Sequence, residues 1–327
     1  MSFYLQNAGG GTIILPMLTR IRATELPVEQ FAADLYRTCG QFDIRPSADR
    51  RTMRGGVQVD RRAGIEVAHV AADLQQLVRS SRDIRQDAGE NYFLILQEEG
   101  KALMSQNETS CLLSPGDMVL IDSACTSEFT FFGDYNRQLS LHLPRGEMHA
   151  RFGYDLIRGG ISVPRHDPTN LALCAVLGKV FGQPATNAAS NSYLREAVFG
   201  LIGAMLHLAC IIGGPDWYRA LGAGEGIARA AERGKLQPHL MAAGIAAVLL
   251  VWVAYALAAA AVLPPLPLTK IAPIAITAVL LARGLLIFVP GLWRPDLDAS
   301  FKFWSSLYVF AMAVPFAIGT VQRWRFL

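Results

Sequence analysis

The motifs that would announce a nucleotide or hydrolytic enzyme are missing from this 327-residue chain. It has no phosphate loop, no G-x-S-x-G and no dinucleotide fingerprint; Gly9–Gly10–Gly11 precedes TIIL without the Lys-Ser/Thr that a phosphate loop needs. Its histidines are His69, His142, His149, His166, His207 and His239, and none forms an HxH pair or is followed by an acidic residue at ligand spacing. The cysteines, Cys39, Cys111, Cys125, Cys174 and Cys210, are odd in number, scattered and never spaced CxxC, which fits small buried thiols in a reducing compartment better than disulfides or zinc. These absences predict no metal, no cofactor, no catalytic residue and no enzyme. The N-terminus lacks the basic region and cleavage site of a secretory signal, so residues 1–20 read as a flexible tail, with Met17 a candidate start.

Charge is also scarce, at 17% against a usual ~25%, and unevenly placed. From Leu240 to Leu327 the charged residues are Lys270, Arg283, Arg294, Asp296, Asp298, Lys302, Arg323 and Arg325 alone, while all five tryptophans follow residue 215. A net charge of +3 is too small to argue for nucleic acid.

What is present begins with PVEQFAADLYRTCG at 27–40, an amphipathic helix with Val28, Phe31 and Leu35 on one face, Pro27 at its start and Gly40 at its stop. From residue 56, GVQVDRR, GIEVAHVAA, YFLILQEEG, KALMSQ, TSCLL, DMVLID, EFTFF and QLSLHL read as about eight short strands. So many strands imply an antiparallel barrel or jelly roll. Pro115–Gly116–Asp117 is a tight turn between two of them. His142 lies within QLSLHL and reads as a hydrogen-bonded strand histidine. The alternate residues of YFLIL and QLSLHL are expected to line any ligand space, but the sequence leaves open which set points inward, so the ligand-binding residues stay unknown. After residue 146 the strands stop, and 168–182 and 190–209 read as helices, with Leu173, Leu177, Val180 and Phe181 on one face of the first.

The run FAADLYRTCGQFDIRP, then DIRQDAGENYFLILQEEGKALMSQ, then LLSPGDMVLIDSACTSEFTFFGDYNRQLSLHLPR resembles the effector-binding and dimerisation domain of AraC-family transcription regulators, nearest the FeaR-like branch that controls catabolism of small aromatic amines and acids. The resemblance covers about residues 25–205. It implies a cupin-like barrel that binds a small, possibly aromatic effector, helices that form a homodimer, and two helix-turn-helix units beyond it. No such pair is legible after residue 215; the one soluble helix left, GEGIARAAERGK, carries Arg229, Arg233 and Lys235. The chain by itself is therefore expected not to bind DNA sequence-specifically.

The last third reads as membrane. Residues 240–263, 271–291 and 303–322 are each long enough to span, the second interrupted by Arg283, with Trp293, Trp304 and Trp324 near span ends. From about residue 198 onward the chain resembles small bacterial four-helix membrane proteins of unknown function, in which the segment before GGPDWYRALGA is the first membrane helix. LREAVFGLIGAMLHLACIIGG at 194–214 thus serves two descriptions, last helix of a sensor and first span, with a junction near Gly200–His207. The loop 214–239, with Arg219, Arg229, Arg233 and Lys235, should be cytoplasmic, which prefers three spans; the resemblance prefers four.

The expected architecture is α+β: a tail at 1–20, a cupin-like antiparallel β-barrel with flanking helices at 21–205, and an all-α transmembrane region of three or four helices at 206–327, its extra span being 197–214. The expected function is an effector-binding sensor tethered to a bacterial inner membrane, sensor in the cytoplasm, without its helix-turn-helix half. The alternative is an integral-membrane protein carrying a non-functional regulator fragment through gene fusion or frameshift.

Overall fold

The computed structural model describes residues 24–46, 51–87, 89–152, 159–182, 188–220, 223–267, 271–289 and 291, with scattered positions between 302 and 321. The proposed tail at 1–20 and most of the third span at 303–322 lie outside the described residues.

The chain runs β1 (Thr24–Pro27), α1 (Val28–Cys39), β2 (Asp43–Pro46), β3 (Thr52–Arg62), β4 (Ile65–Ala72), β5 (Leu74–Arg79), α2 (Ser81–Asp87), β6 (Asn91–Gln106), β7 (Thr109–Leu113), β8 (Met118–Asp122) and β9 (Ser127–Pro144). Then come α3 (Arg145–Phe152), β10 (Ile161–Val163), α4 (Pro168–Gly182), α5 (Ala188–Ala220), α6 (Glu225–Glu232), α7 (Gln237–Ala259) and α8 (Ile271–Leu285).

The strands form one antiparallel sheet in the order β1-β3-β4-β9-β6-β8-β10, with β5 on β9, β2 on β5 and β7 on β6. The short strands expected from the sequence are fused. YFLILQEEG and KALMSQ make the single β6, and EFTFF and QLSLHL the single β9. Their pairing shifts register between Gln97 and Glu99 and again between Glu99 and Lys101, so both strands bend there and serve two parts of the barrel. Gly100, at φ +76 with the Asn136 side-chain amide where a Cβ would stand, makes that bend possible. The Pro115–Asp117 turn forms as expected: Gly116 has φ 94, and Asp117 accepts from the backbone N–H of Ser114 and Arg165, each at 2.8 Å.

Alternation along the strands separates two cores. Inside the barrel, Phe93 and Ile95 of β6, Phe129 and Phe131 of β9, Leu74 and Leu77 of β5 and Met104 pack with Phe31 and Leu35 of α1. The outer face of the same sheet, Tyr92, Leu94, Leu96, Leu139, Leu141 and Leu143, packs against α4 and α5. Each buried Leu or Phe removes enough apolar surface to stabilise by about 1.5–3 kcal/mol. Leu173 and Leu177 of α4 are buried in this outer core, as their spacing suggested; the side chains of Val180 and Phe181 lie outside the described residues.

No break occurs near Gly200–His207. Helix α5 continues to Gly214, whose φ of 68 and ψ of −152 interrupt it ahead of Pro215. Leu194, Ala197, Val198, Leu201, Ile202 and Met205 sit in the core shared with the barrel. Helix α7 packs antiparallel on α5: Gly200 lies opposite Val253, Gly203 opposite Leu249, and the Tyr218 hydroxyl meets His239 Nδ1 at 3.1 Å. Among the described residues, two helices are long and apolar enough to cross a membrane, Ser190–Arg219 and Gln237–Ala259. The apolar helix at Ile274–Phe288 is shorter.

Candidate functional site

The register of three strands assembles a polar corner inside the barrel. Glu66 of β4 pairs with His142 of β9, which pairs with Phe93 of β6. All three side chains therefore share one face, and Phe93 identifies that face as the interior. His142 Nδ1–H donates to Glu66 Oε1 at 2.9 Å, and its ring lies 4.7 Å from that of Phe93, centroid to centroid. This pattern assigns the proton to Nδ1 and leaves Nε2 the accepting side. Nε2 faces the thiol of Cys39, the last residue of α1, at 3.8 Å. Arg61, opposite Glu66 on β3, donates to the second carboxylate oxygen at 2.7 Å. Hydrogen bonding from His142, reinforced by Arg61, pulls the Glu66 carboxyl down to about 2 against the opposing effect of burial. Burial, with the Glu66 charge nearby, pushes the Cys39 thiol up to about 12.

A second polar stripe follows along the same interior face. Gln138 pairs with Gln97, and Ser140 with Ile95. The fully buried Gln97 accepts from Gln138 Nε2 at 2.8 Å and donates to Glu99 O at 2.8 Å and Asn136 Oδ1 at 3.1 Å. The inward set thus contains Phe93, Ile95, Gln97, Gln138, Ser140 and His142, which resolves the choice that the sequence left open.

Behind Cys39 an ion pair locks the corner. Arg79, 1% exposed, donates to Asp87 Oδ2 at 2.8 Å, to Gln41 O at 2.7 Å and to Ser123 O at 2.7 Å, with its guanidinium 5.3 Å from the Phe42 ring centre. Burial would raise the Asp87 carboxyl, but hydrogen bonds from Arg79 and from the N–H of Gln41 and Gly89 outweigh it and hold it below its ordinary value. Gly40 has φ +94, and a Cβ there would overlap the Asp87 carboxylate. Sequence reasoning found His142 but missed Glu66, Cys39, Arg79 and Asp87, because no local spacing relates them.

The other histidines stand apart. His69, buried on the outer face, lies 3.4 Å from Asp60; His149 Nε2 meets the Tyr92 hydroxyl at 2.9 Å; His166 is an exposed neighbour of Arg165. His207 and His239 belong to the helical region. Among the described residues no three His, Cys, Asp or Glu side chains converge as metal ligands.

A second charged cluster joins the barrel to α5. Arg151 of α3 bridges Glu147, at 2.8 Å, and Glu196, at 2.6 Å, and lies 4.2 Å from the Phe199 ring centre. Arg195 pairs with the same Glu147 and reaches Gly64 O. Burial would raise Glu147, but Arg151 and Arg195 together hold its carboxyl low. The charged pair that opens LREAVFG is thus the bolt between helix and barrel.

The strands thus make an antiparallel sheet whose inner face holds one oriented histidine and a ladder of amides. The AraC-binding-like domain family matches residues 31–207, more than half of the chain, and the chain belongs to that family. It is 24% identical over 202 residues to the transcriptional activator NphR of a Rhodococcus species, covering 58% of this chain and 59% of that one. It is also 38% identical over 73 residues to an uncharacterized protein in the nit 5′ region of Bacillus sp. strain OxB-1, covering 22% of this chain and 28% of that one. The chain therefore spans 59% of the length of the activator that it matches. Among solved structures, the AraC-like transcriptional activator CuxR superposes with a TM-score of 0.47 at 8% identity, over 55% of this chain and 68% of that one. A Cupin 2 conserved barrel domain protein of Salinispora arenicola gives 0.23 at 10% identity, over 31% and 81%.

Proposed function

We propose that this chain is a membrane-held sensor of the AraC type, whose barrel binds a small aromatic effector and whose α5–α7 hairpin turns the apolar outer side of α7 to lipid. The observation that carries the binding half is the His142 corner. In an apolar interior, a histidine oriented by a carboxylate, whose Nε2 accepts only the weak S–H of Cys39, can exchange that donor for a stronger one on a ligand and so fix its orientation. The corner binds and does not catalyse: with its thiol at about 12, Cys39 holds almost no thiolate at neutral pH, so the Cys–His–Glu arrangement lacks a nucleophile.

The membrane half rests on the outer side of α7. From Leu240 to Ala259 this helix carries no charge, and Leu240, Met241, Ile245, Val248, Leu250 and Val251 are exposed along it. A continuous apolar face of that length suits lipid better than water. Because Leu194, Leu201 and Met205 of α5 and Val253 and Leu257 of α7 pack on the barrel, the hairpin lies against the barrel and the outer side of α7 is what is left to meet lipid. That placement keeps the loop 214–239 on the sensor's side, as the charge rule prefers. Within it Arg219 pairs with Asp216, Glu225 and Glu232, and Arg229 with Glu225.

The test of the binding half is thermal unfolding of the detergent-solubilised chain against a panel of small aromatic amines and acids. At least one member should raise the Tm of the wild type by about 2–4 °C at a hundredfold excess over its Kd, and His142→Leu should abolish the rise. A panel without effect, or an unchanged response in His142→Leu, removes the reading.

A further inference from the structure

A second cavity lies outside the barrel, in the hairpin of α5 and α7. It encloses about 350 Å³ between Phe152 at the end of α3, Leu206, His207 and Cys210 of α5, and Met241 and Ala242 of α7. The volume falls in the range of small-molecule sites, roughly 300–1,000 Å³. Its polar groups are nearly all committed. The Tyr218 hydroxyl is bonded to His239 Nδ1 at 3.1 Å, the Cys210 thiol is turned to Trp217 O at 3.8 Å, and Arg151 is held by Glu147 and Glu196. His207 differs. Its Nδ1 lies 2.8 Å from Gly203 O, an acceptor, so Nδ1 carries the proton and Nε2 is left an acceptor that no described group meets.

We propose that this cavity is a ligand site for an uncharged, mainly apolar molecule of bicyclic size with one hydroxyl, whose proton is donated to His207 Nε2. An anion is disfavoured because it would have to strip Arg151 from two carboxylates. A cation is disfavoured because the carboxylates beside the cavity already hold arginines. The occupant touches Phe152, whose ring meets Gly203, and lies beside Arg151, which ties α3 to Glu196; it therefore contacts both the barrel side and the hairpin. The site does not rest on the effector reading of the barrel; Met241, one of its walls, is also half-exposed on the outer side of α7.

The test uses the full chain in detergent micelles, equilibrium dialysis of labelled 2-naphthol, and naphthalene as the probe without a donor, with micelle-only chambers subtracted. The measurement is made in the His142→Leu background, which removes the barrel site, and this chain should bind about one 2-naphthol. Ala242→Phe and Ala223→Leu, at two residues that line the cavity, should each weaken binding by about tenfold or more. His207→Phe should weaken 2-naphthol by about tenfold and leave naphthalene within about twofold. Leu112→Ala, at an exposed position on β7 outside both sites, should change neither. Circular dichroism establishes that each variant is folded. No saturable binding in the His142→Leu background, undiminished binding by both filling variants, an equal loss of both probes in His207→Phe, or loss in Leu112→Ala would each overturn the proposal.

Discussion

His142 and Glu66 stand 76 positions apart, and only strand register brings them to 2.9 Å. Because the folded carboxyl sits near 2 against an ordinary 4.5, Glu66 contributes stability that is present above about pH 4.5 and lost as pH falls through about 2. The stability difference between the wild type and Glu66→Gln should accordingly be greatest at neutral pH and shrink across that window, as read by denaturant unfolding at stepped pH. A difference independent of pH would show that the carboxylate's charge plays no part. The sequence could present His142 as a bonded strand residue, because its apolar neighbours QLSLHL demand a partner for the ring. It could not name that partner, nor which alternate residues face inward. From Tyr92 to Gln97 all six residues are buried, since helices cover the outer face of the sheet as the core fills the inner one. With both faces covered, alternation loses its polar half and ceases to point.

At the scale of elements, helix boundaries were legible and helix allegiance was not. Pro27 and Gly40 bracket α1 as their backbone preferences require, and Val28, Phe31 and Leu35 bury the face their spacing describes. LREAVFGLIGAMLHLACIIGG resembles a sensor helix at its front and a membrane helix at its back, and the family match ends at residue 207. In the fold it is one helix whose glycines admit neighbours. A Cβ at Gly203 would stand 3.0 Å from the Phe152 ring and 3.2 Å from Leu249, whereas one at Gly244 on α7 meets nothing within 4 Å. Gly203→Leu should therefore lower stability by about 1–3 kcal/mol through overpacking. Gly244→Leu should be neutral or raise it by up to about 0.8 kcal/mol through helix propensity. Thermal unfolding of the two variants side by side checks this; equal effects would mean that α7 does not lie on α5 as described. A related expectation concerns the bolt. Arg151→Ala leaves Glu147 and Glu196 without their shared cation in a largely buried place and should cost about 3 kcal/mol, with Glu147→Gln in the same background recovering part of it.

For the whole molecule, the composition break after residue 215 was the clearest signal in the sequence, since charge density needs no register to be read. What it could not convey is that the apolar helices share a core with the barrel: Val253, Ala256 and Leu257 of α7 belong to the same cluster as Leu94 and Leu141. Sensor and hairpin are consequently one mechanical unit. Two expectations follow at this scale. The first concerns DNA. Sequence reading requires a helix seated in the major groove with several side chains at base edges. Helix α6 has eight residues, carries Glu225 and Glu232 against Arg229 alone, and its Arg229 is paired with Glu225. A footprint of the detergent-solubilised chain on the DNA upstream of its own gene should show no sequence-specific protection; a discrete protected site would refute this.

The second concerns the central claim, that the apolar region from α7 onward holds the sensor at a membrane. An exposed apolar helix side followed by the charge-poor segments 271–291 and 303–322 anchors a chain far more firmly than a single acyl group, whose binding is marginal and reversible. Membranes from cells producing the full chain should be washed with high salt, then with alkaline carbonate, then with detergent. The account predicts that the chain stays in the pellet through both washes and is released only by detergent, as a folded and monodisperse species. Release by salt or carbonate, or recovery of the folded chain in the soluble fraction, would contradict it.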